Sequence, residues 1–188
     1  MTDQYWHLTS ITNTNCAVRS DFEFPPRPQD NKLFLYSAGE ILNDDFIVSV
    51  YNQIKFKIDM VFLFYKSPNS RADTAHIDLY SATQPGTCAL NWAVNGAQGE
   101  MRWYDYEFDY QDIKYAANNR GEQFPYMLVD VAGWQHVDSV VIGSQAILVR
   151  TDRLHAIENS SQDRWTISCR SSRLVTMPWD QVISELSL

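Results

Sequence analysis

Four histidines, His7, His76, His136 and His155, are the side chains of this sequence best suited to hold a metal or to carry a proton near neutral pH. Two of them, His76 and His136, are followed two residues later by an aspartate, Asp78 and Asp138. Such a pair offers an imidazole nitrogen and a carboxylate oxygen, but the spacing arises by chance often enough to need a partner. The segment from Ala146 to Arg170 supplies one, because it reads as strand, turn, strand, short loop, strand and carries His155 and Arg164 on neighbouring strands. If 160–163 is a hairpin loop, Asn159 lies opposite Arg164. The two-residue period then turns His155, Ile157 and Asn159 to the same face as Arg164, Thr166 and Ser168.

That register offsets His155 from Arg164 by about four residues, or ~13 Å at ~3.3 Å per residue, of which an Arg side chain closes roughly half. The remaining gap suits a five-carbon diacid. A metal on His155 would chelate its 2-oxo acid end, as in 2-oxoglutarate, and the two-pronged guanidinium of Arg164 would grip the far carboxylate. The plainer alternatives are a surface turn at His76 and Asp78 and a surface pairing of Arg164 with Asp163 or Glu158. Against the latter, an Arg turned inward on a core strand is costly without an anion. The rival pair His136 and Asp138 is too close to His155 in sequence to leave chain for the strands between two halves of a site.

His76-Ile77-Asp78, then His155, then Arg164 nine residues later with Thr166 and Ser168 beyond it, resembles the iron(II)/2-oxoglutarate-dependent dioxygenase superfamily over residues 59–172. The resemblance implies a double-stranded β-helix, a jelly-roll variant in which the His-x-Asp lies after an early core strand and the second His and the Arg lie on the last strands. It implies an iron(II) held by His76, Asp78 and His155 as a two-His-one-carboxylate facial triad with open positions for 2-oxoglutarate and O2. The implied activity is hydroxylation of a C–H bond with release of succinate and CO2. The run Val61 to Tyr65 looks like the strand before the motif in prolyl-hydroxylase-like members, where a Tyr helps bind the co-substrate; Tyr65 is the matching position. Ala89 to Trp92 and Met101 to Tyr104 are similar to a strand pair of small oxygenases in this superfamily, which makes Asn91 and Tyr104 further candidates beside Thr166 and Ser168. No general base is required. A cupin-like metal-binding or structural protein without turnover is the alternative, against which Arg164 argues. A nucleic-acid dealkylase of the same superfamily would need a basic groove.

The elements that must position these residues read as mainly β. Short runs rich in β-branched and aromatic residues lie at 32–36, 57–65, 88–94, 100–106, 139–141, 146–150 and 165–169, separated by turn residues. Helical periodicity is confined to 42–54, after a possible Asn43 cap, and 179–188, where Trp179, Val182, Ile183 and Leu186 share one face. Many short strands with few helices predict a sandwich, barrel or jelly roll. The length of 188 residues suits one domain, 1–188, with its core at about 57–173. Residues 105–137, rich in Tyr, Asn and Asp, match no pattern and are expected to select substrate, in the manner of a lid.

Composition narrows the partners. Fifteen basic residues against 23 acidic ones, a net charge of −8, speak against bulk nucleic acid, which is gripped mainly through Lys and Arg. The expected substrate is a small molecule or a peptide, with the oligomeric state open. Cys16, Cys88 and Cys169 form no CxxC pair or disulfide framework, and Cys88 and Cys169 read as small buried hydrophobes. The start lacks a basic region followed by an apolar stretch, and the longest apolar run, Met60 to Tyr65, is far short of a bilayer span, so a cytoplasmic protein is expected. Asn159-Ser160-Ser161 reads as a chance sequon.

Overall fold

A computed structural model of the chain describes residues 4–68, 74–81, 83–94, 97–106, 113–117, 119–159 and 162–186. Its strands, in chain order, are β1 (Trp6–Leu8), β2 (Lys32–Ser37), β3 (Met60–Lys66), β4 (Thr74–Ser81), β5 (Gln84–Pro85), β6 (Cys88–Val94), β7 (Gly99–Tyr104), β8 (Ile113–Ala117), β9 (Gln123–Asp130), β10 (His136–Ile142), β11 (Ile147–Arg150), β12 (His155–Asn159) and β13 (Arg164–Arg170). The helices are α1 (Ala38–Ile41), α2 (Asp44–Ile54) and α3 (Trp179–Glu185). The expected mainly β pattern with a few bracing helices is what the chain forms. Residues 187 and 188 of the predicted C-terminal helix lie outside the described residues.

The strands make two antiparallel sheets, ordered β1-β11-β6-β13-β3-β2 and β10-β7-β12-β4-β9-β8. Eight core strands, β3, β4, β6, β7, β10, β11, β12 and β13, are divided equally between the sheets. Within each sheet they interleave, as β11-β6-β13-β3 and β10-β7-β12-β4. This is the double-stranded β-helix, a jelly roll in which most strands pair with partners distant in sequence.

Side-chain alternation explains why each strand sits where it does. On β3, Val61, Leu63 and Tyr65 join the helix-side core, and Met60, Phe62 and Phe64 turn toward the other sheet. On β13 the same split places Trp165, Ile167 and Cys169 in that core and leaves Arg164, Thr166, Ser168 and Arg170 facing inward. The helices cover the outer face of this sheet: Phe46, Val50 and Ile54 of α2, one helical turn apart, pack there with Trp179 and Val182 of α3. Asn43 precedes α2 as expected, with its side-chain amide donating to the carbonyls of Cys16 and Val18 at 2.7 and 3.1 Å. The sheets meet through Ala89, Ile147 and Val149 of one and Met101 and Trp103 of the other. Burial raises the Cys88 thiol to about 12 and pushes Cys169 up as well, as suits small buried hydrophobes.

Three expectations change. First, β12 and β13 are not a paired hairpin; they belong to different sheets, and the connection, of which 160 and 161 lie outside the described residues, crosses from one to the other. The in-plane offset read from a hairpin therefore does not apply. His155 and Arg164 share the interior because both strands turn that face inward across the sandwich. Second, His76 and Asp78 follow the early core strand β3 as expected but themselves lie within a strand, β4, where no strand was expected. Third, 105–137 includes the strands β8 and β9 and the start of β10, and β9 extends the sheet by pairing with β4 along Thr74 to Asp78; residues 107–112 and 118 lie outside the described residues.

Candidate metal centre

Backbone register delivers the cluster. His155 of β12 and His76 of β4 are direct Cα partners in the antiparallel ladder, so their side chains emerge side by side on one face, with ring centroids 4.3 Å apart. Asp78, two residues on along β4, emerges on that same face, with Oδ1 3.5 Å from Nε2 of His76. One donor atom from each of the three lies within 4.8 Å of the others, close enough to converge on a single metal ion. Two imidazoles and one carboxylate are the donor set of non-haem iron(II) sites with open positions.

The surroundings prepare these ligands. His155 Nδ1 donates to the Arg153 carbonyl at 2.8 Å, which assigns the proton to Nδ1 and leaves Nε2 with a free lone pair. Burial holds the His76 imidazole far below its usual value, down to about 3, with the neighbouring His155 adding to the effect. Burial also lowers His155, so both rings are neutral at pH 7. For Asp78, burial is the largest single influence and pushes upward, but Arg170, His155 and His76 together outweigh it and hold the carboxyl below the usual range.

Arg170 was not singled out by sequence, and it is the hub of the arrangement. Its Nη2 donates to Oδ2 of Asp78, the oxygen not turned to His76. Its Nη1 donates to the Ser168 hydroxyl at 3.0 Å, and its guanidinium carbon lies 5.5 Å from the centre of the Phe62 ring. Only 7% exposed, it fixes the Asp78 carboxylate from behind. The signal was there: 164, 166, 168 and 170 continue one strand face.

A narrow chamber between the sheets, of about 440 Å³ with its opening, is lined by the triad together with Asn91, Arg164, Thr166, Ser168 and Arg170. Arg164 is 1% exposed, and none of its three side-chain nitrogens has a hydrogen-bond partner among the described residues. Burial brings its guanidinium down to about 10, so it remains cationic at pH 7. Asn91 Oδ1 and Thr166 Oγ1 are likewise buried and unpartnered among those residues. Lys66, the direct cross-strand partner of Arg164, also lines the chamber, and its pKa is lowered by burial and then by Arg164.

Two candidates point elsewhere. Tyr65 pairs in register with Trp165 rather than with Arg164, so it shares the Trp165 face and its ring packs 5.0 Å from that indole in the helix-side core. Tyr104 alternates out of phase with the inward Met101 and Trp103 and joins Ala75, Ile77 and Met127 on the outer face of its sheet. One residue of strand phase separates each from the chamber.

No family model matches the chain, and no curated protein sequence matches it. Among solved structures, the X-ray structure of E. coli ycfD is similar over 69% of this chain and 32% of its own, at 9% identity and a TM-score of 0.38. The crystal structure of the coconut allergen cocosin is similar over 95% of this chain and 38% of its own, at 14% identity and a TM-score of 0.38. The matched region thus spans about a third of either protein, and likenesses this distant carry nothing about activity. Among the described residues, no helix is long and apolar enough to cross a membrane.

Gly99 makes room for the Arg164 guanidinium. A Cβ added at Gly99 would overlap Nη1 and the central carbon of that group, so no side chain fits there without moving it. Gly99→Ala is expected to displace the Arg164 guanidinium and to destabilise the fold by about 1–3 kcal/mol through overpacking, with the His76, Asp78 and His155 cluster left in place. Thermal unfolding checks the first part and zinc binding the second.

Proposed function

We propose that this chain is a non-haem iron(II) oxygenase with 2-oxoglutarate as co-substrate. The observation that carries the reading is Arg164: a buried cation without a partner among the described residues, in the same chamber as a two-His-one-carboxylate cluster. Holding a metal alone would not call for it, whereas a bound dianion would supply the missing counter-charge.

His76, Asp78 and His155 would hold the iron, with the Arg153 carbonyl orienting one imidazole and Arg170 the carboxylate. Arg164 would bind the far carboxylate of 2-oxoglutarate in a bidentate contact, and the Thr166 hydroxyl is placed to add a donor. Asn91 would address the polar middle of the co-substrate, and Ser168 acts through Arg170. Iron(II) with 2-oxoglutarate and O2 supplies the oxidising chemistry: a substrate C–H becomes C–OH, one oxygen atom enters succinate, and CO2 leaves. No side chain is needed as general acid or base. The free thiols Cys16, Cys88 and Cys169 suit a reducing compartment such as the cytoplasm.

The test is succinate formation from 2-oxoglutarate by the iron(II)-loaded protein in air, with and without pooled small metabolites. Slow uncoupled turnover that vanishes in His155→Ala supports the reading. Stoichiometric metal with no succinate under any condition would reduce the protein to a cupin-like metal binder.

A further inference from the structure

A second and larger cavity opens from the same triad. It shares Phe64, His76, Asp78 and Arg170 with the chamber of Arg164 and encloses about 1410 Å³ including its open mouth. Register explains its walls. Across the β4–β9 ladder, His76 pairs with Leu128 and Asp78 with Tyr126, and across the β2–β3 ladder Leu33 pairs with Phe64 and Leu35 with Phe62. The side chains next to the metal ligands on the mouth side are therefore apolar or aromatic, contributed by both sheets.

The charges in this wall are few. Arg170 is committed to Asp78 and Ser168, and Glu122 has its own interaction. Arg164 and Lys66 line the inner chamber and not the mouth. A ligand phosphate or carboxylate here would meet no uncommitted cation among the described residues. The Ser171 hydroxyl, buried in the same wall and unpartnered among those residues, leaves one place for a polar group. A concave, largely apolar cavity with a few polar atoms, opening on a reactive centre, is how small-molecule sites are built.

We infer that the substrate is a small molecule that presents an uncharged, largely apolar body to this mouth, on the scale of a fused ring system or a branched alkyl chain, with at most one hydrogen-bonding group. Its hydroxylation rests on the oxygenase reading; its binding does not.

The experiment measures binding alone. The zinc-loaded full chain is titrated with the neutral fluorophore N-phenyl-1-naphthylamine, and competitors are then added: 1-decanol as an uncharged apolar compound, L-leucine, adenosine monophosphate and an unstructured hydrophilic peptide. The expected result is saturable binding of one probe per chain, displaced by 1-decanol and by none of the others. Leu35→Asp should weaken it at least about tenfold by placing a charge in the apolar wall. Leu33→Trp should weaken it by filling the space without adding charge, which separates loss of the site from loss of the fold. Val141→Asp, at an exposed apolar position elsewhere, should change nothing. Circular dichroism and zinc content should match wild type throughout. The inference is overturned if binding does not saturate, if Leu35→Asp and Leu33→Trp both bind as wild type does, or if the nucleotide or the peptide displaces the probe. Probe binding without any succinate formation would leave the apolar site standing and remove only the oxygenase reading.

Discussion

On the proposed oxygenase reading, Arg164→Met should stabilise the ligand-free protein and abolish its response to 2-oxoglutarate. The two effects have one cause. In the free protein the guanidinium is buried with no partner among the described residues; replacing buried ion pairs by apolar side chains stabilises by up to about 1–4 kcal/mol, and removing a charge that has no such partner should stabilise on the same order. At ~2–4 °C per kcal/mol for a chain of this size, the melting temperature should rise by several degrees. The same substitution would remove the proposed anchor for the far carboxylate, and losing a charged partner from a desolvated pair costs about 2–4 kcal/mol of binding, or roughly 30- to 1000-fold in affinity. Arg164→Lys should recover only part, because a point charge cannot make the two-pronged contact. The measurements are thermal unfolding with and without 2-oxoglutarate and anaerobic calorimetry on the zinc-loaded protein. Equal 2-oxoglutarate affinity in wild type and Arg164→Met would remove Arg164 from the site.

The second large effect is on the metal. His76→Ala and His155→Ala should each lose most bound metal, since an ion held by three protein ligands forfeits much of its affinity when one is taken away. Arg170→Met should retain the metal but bind it ~10–100-fold more weakly, the usual cost of losing a group that orients a ligand. His136→Ala, on an exposed stretch of β10, should behave as wild type. Competition against a chromogenic chelator ranks all four. Full stoichiometry in both His76→Ala and His155→Ala would end the triad assignment, and an Arg170→Met affinity equal to wild type would mean that its contact with Asp78 is incidental.

Much of the architecture could be read from the chain because it depends on local patterning. Strands at 88–94 and 146–150 show in their apolar, β-branched and aromatic composition and the helix after Asn43 in its period, and the inward set Arg164, Thr166 and Ser168 follows from alternation alone. The β4 strand escaped notice because its polar positions, His76 and Asp78, face the interior, so the usual association of polar with outside inverts there. Tyr65 and Tyr104 face away from the chamber for a related reason. A short motif matches a segment, but only the pairing partner fixes which face each residue takes, and a slip of one residue reverses it.

By itself the sequence determined the all-β class, the bracing helices, the face of β13 that carries Arg164 and the three residues that could hold a metal. The first three rest on period and composition along one chain, and the triad on the family resemblance of its motif order. Only the tertiary structure decided that β12 and β13 belong to opposite sheets, that His76 and His155 are ladder partners and that Arg170 braces Asp78. It also decided that β9 completes an apolar mouth. Each of these is a contact between strands far apart in sequence, and such contacts are set by which strands pair and in what register, a choice made by packing the whole interior at once.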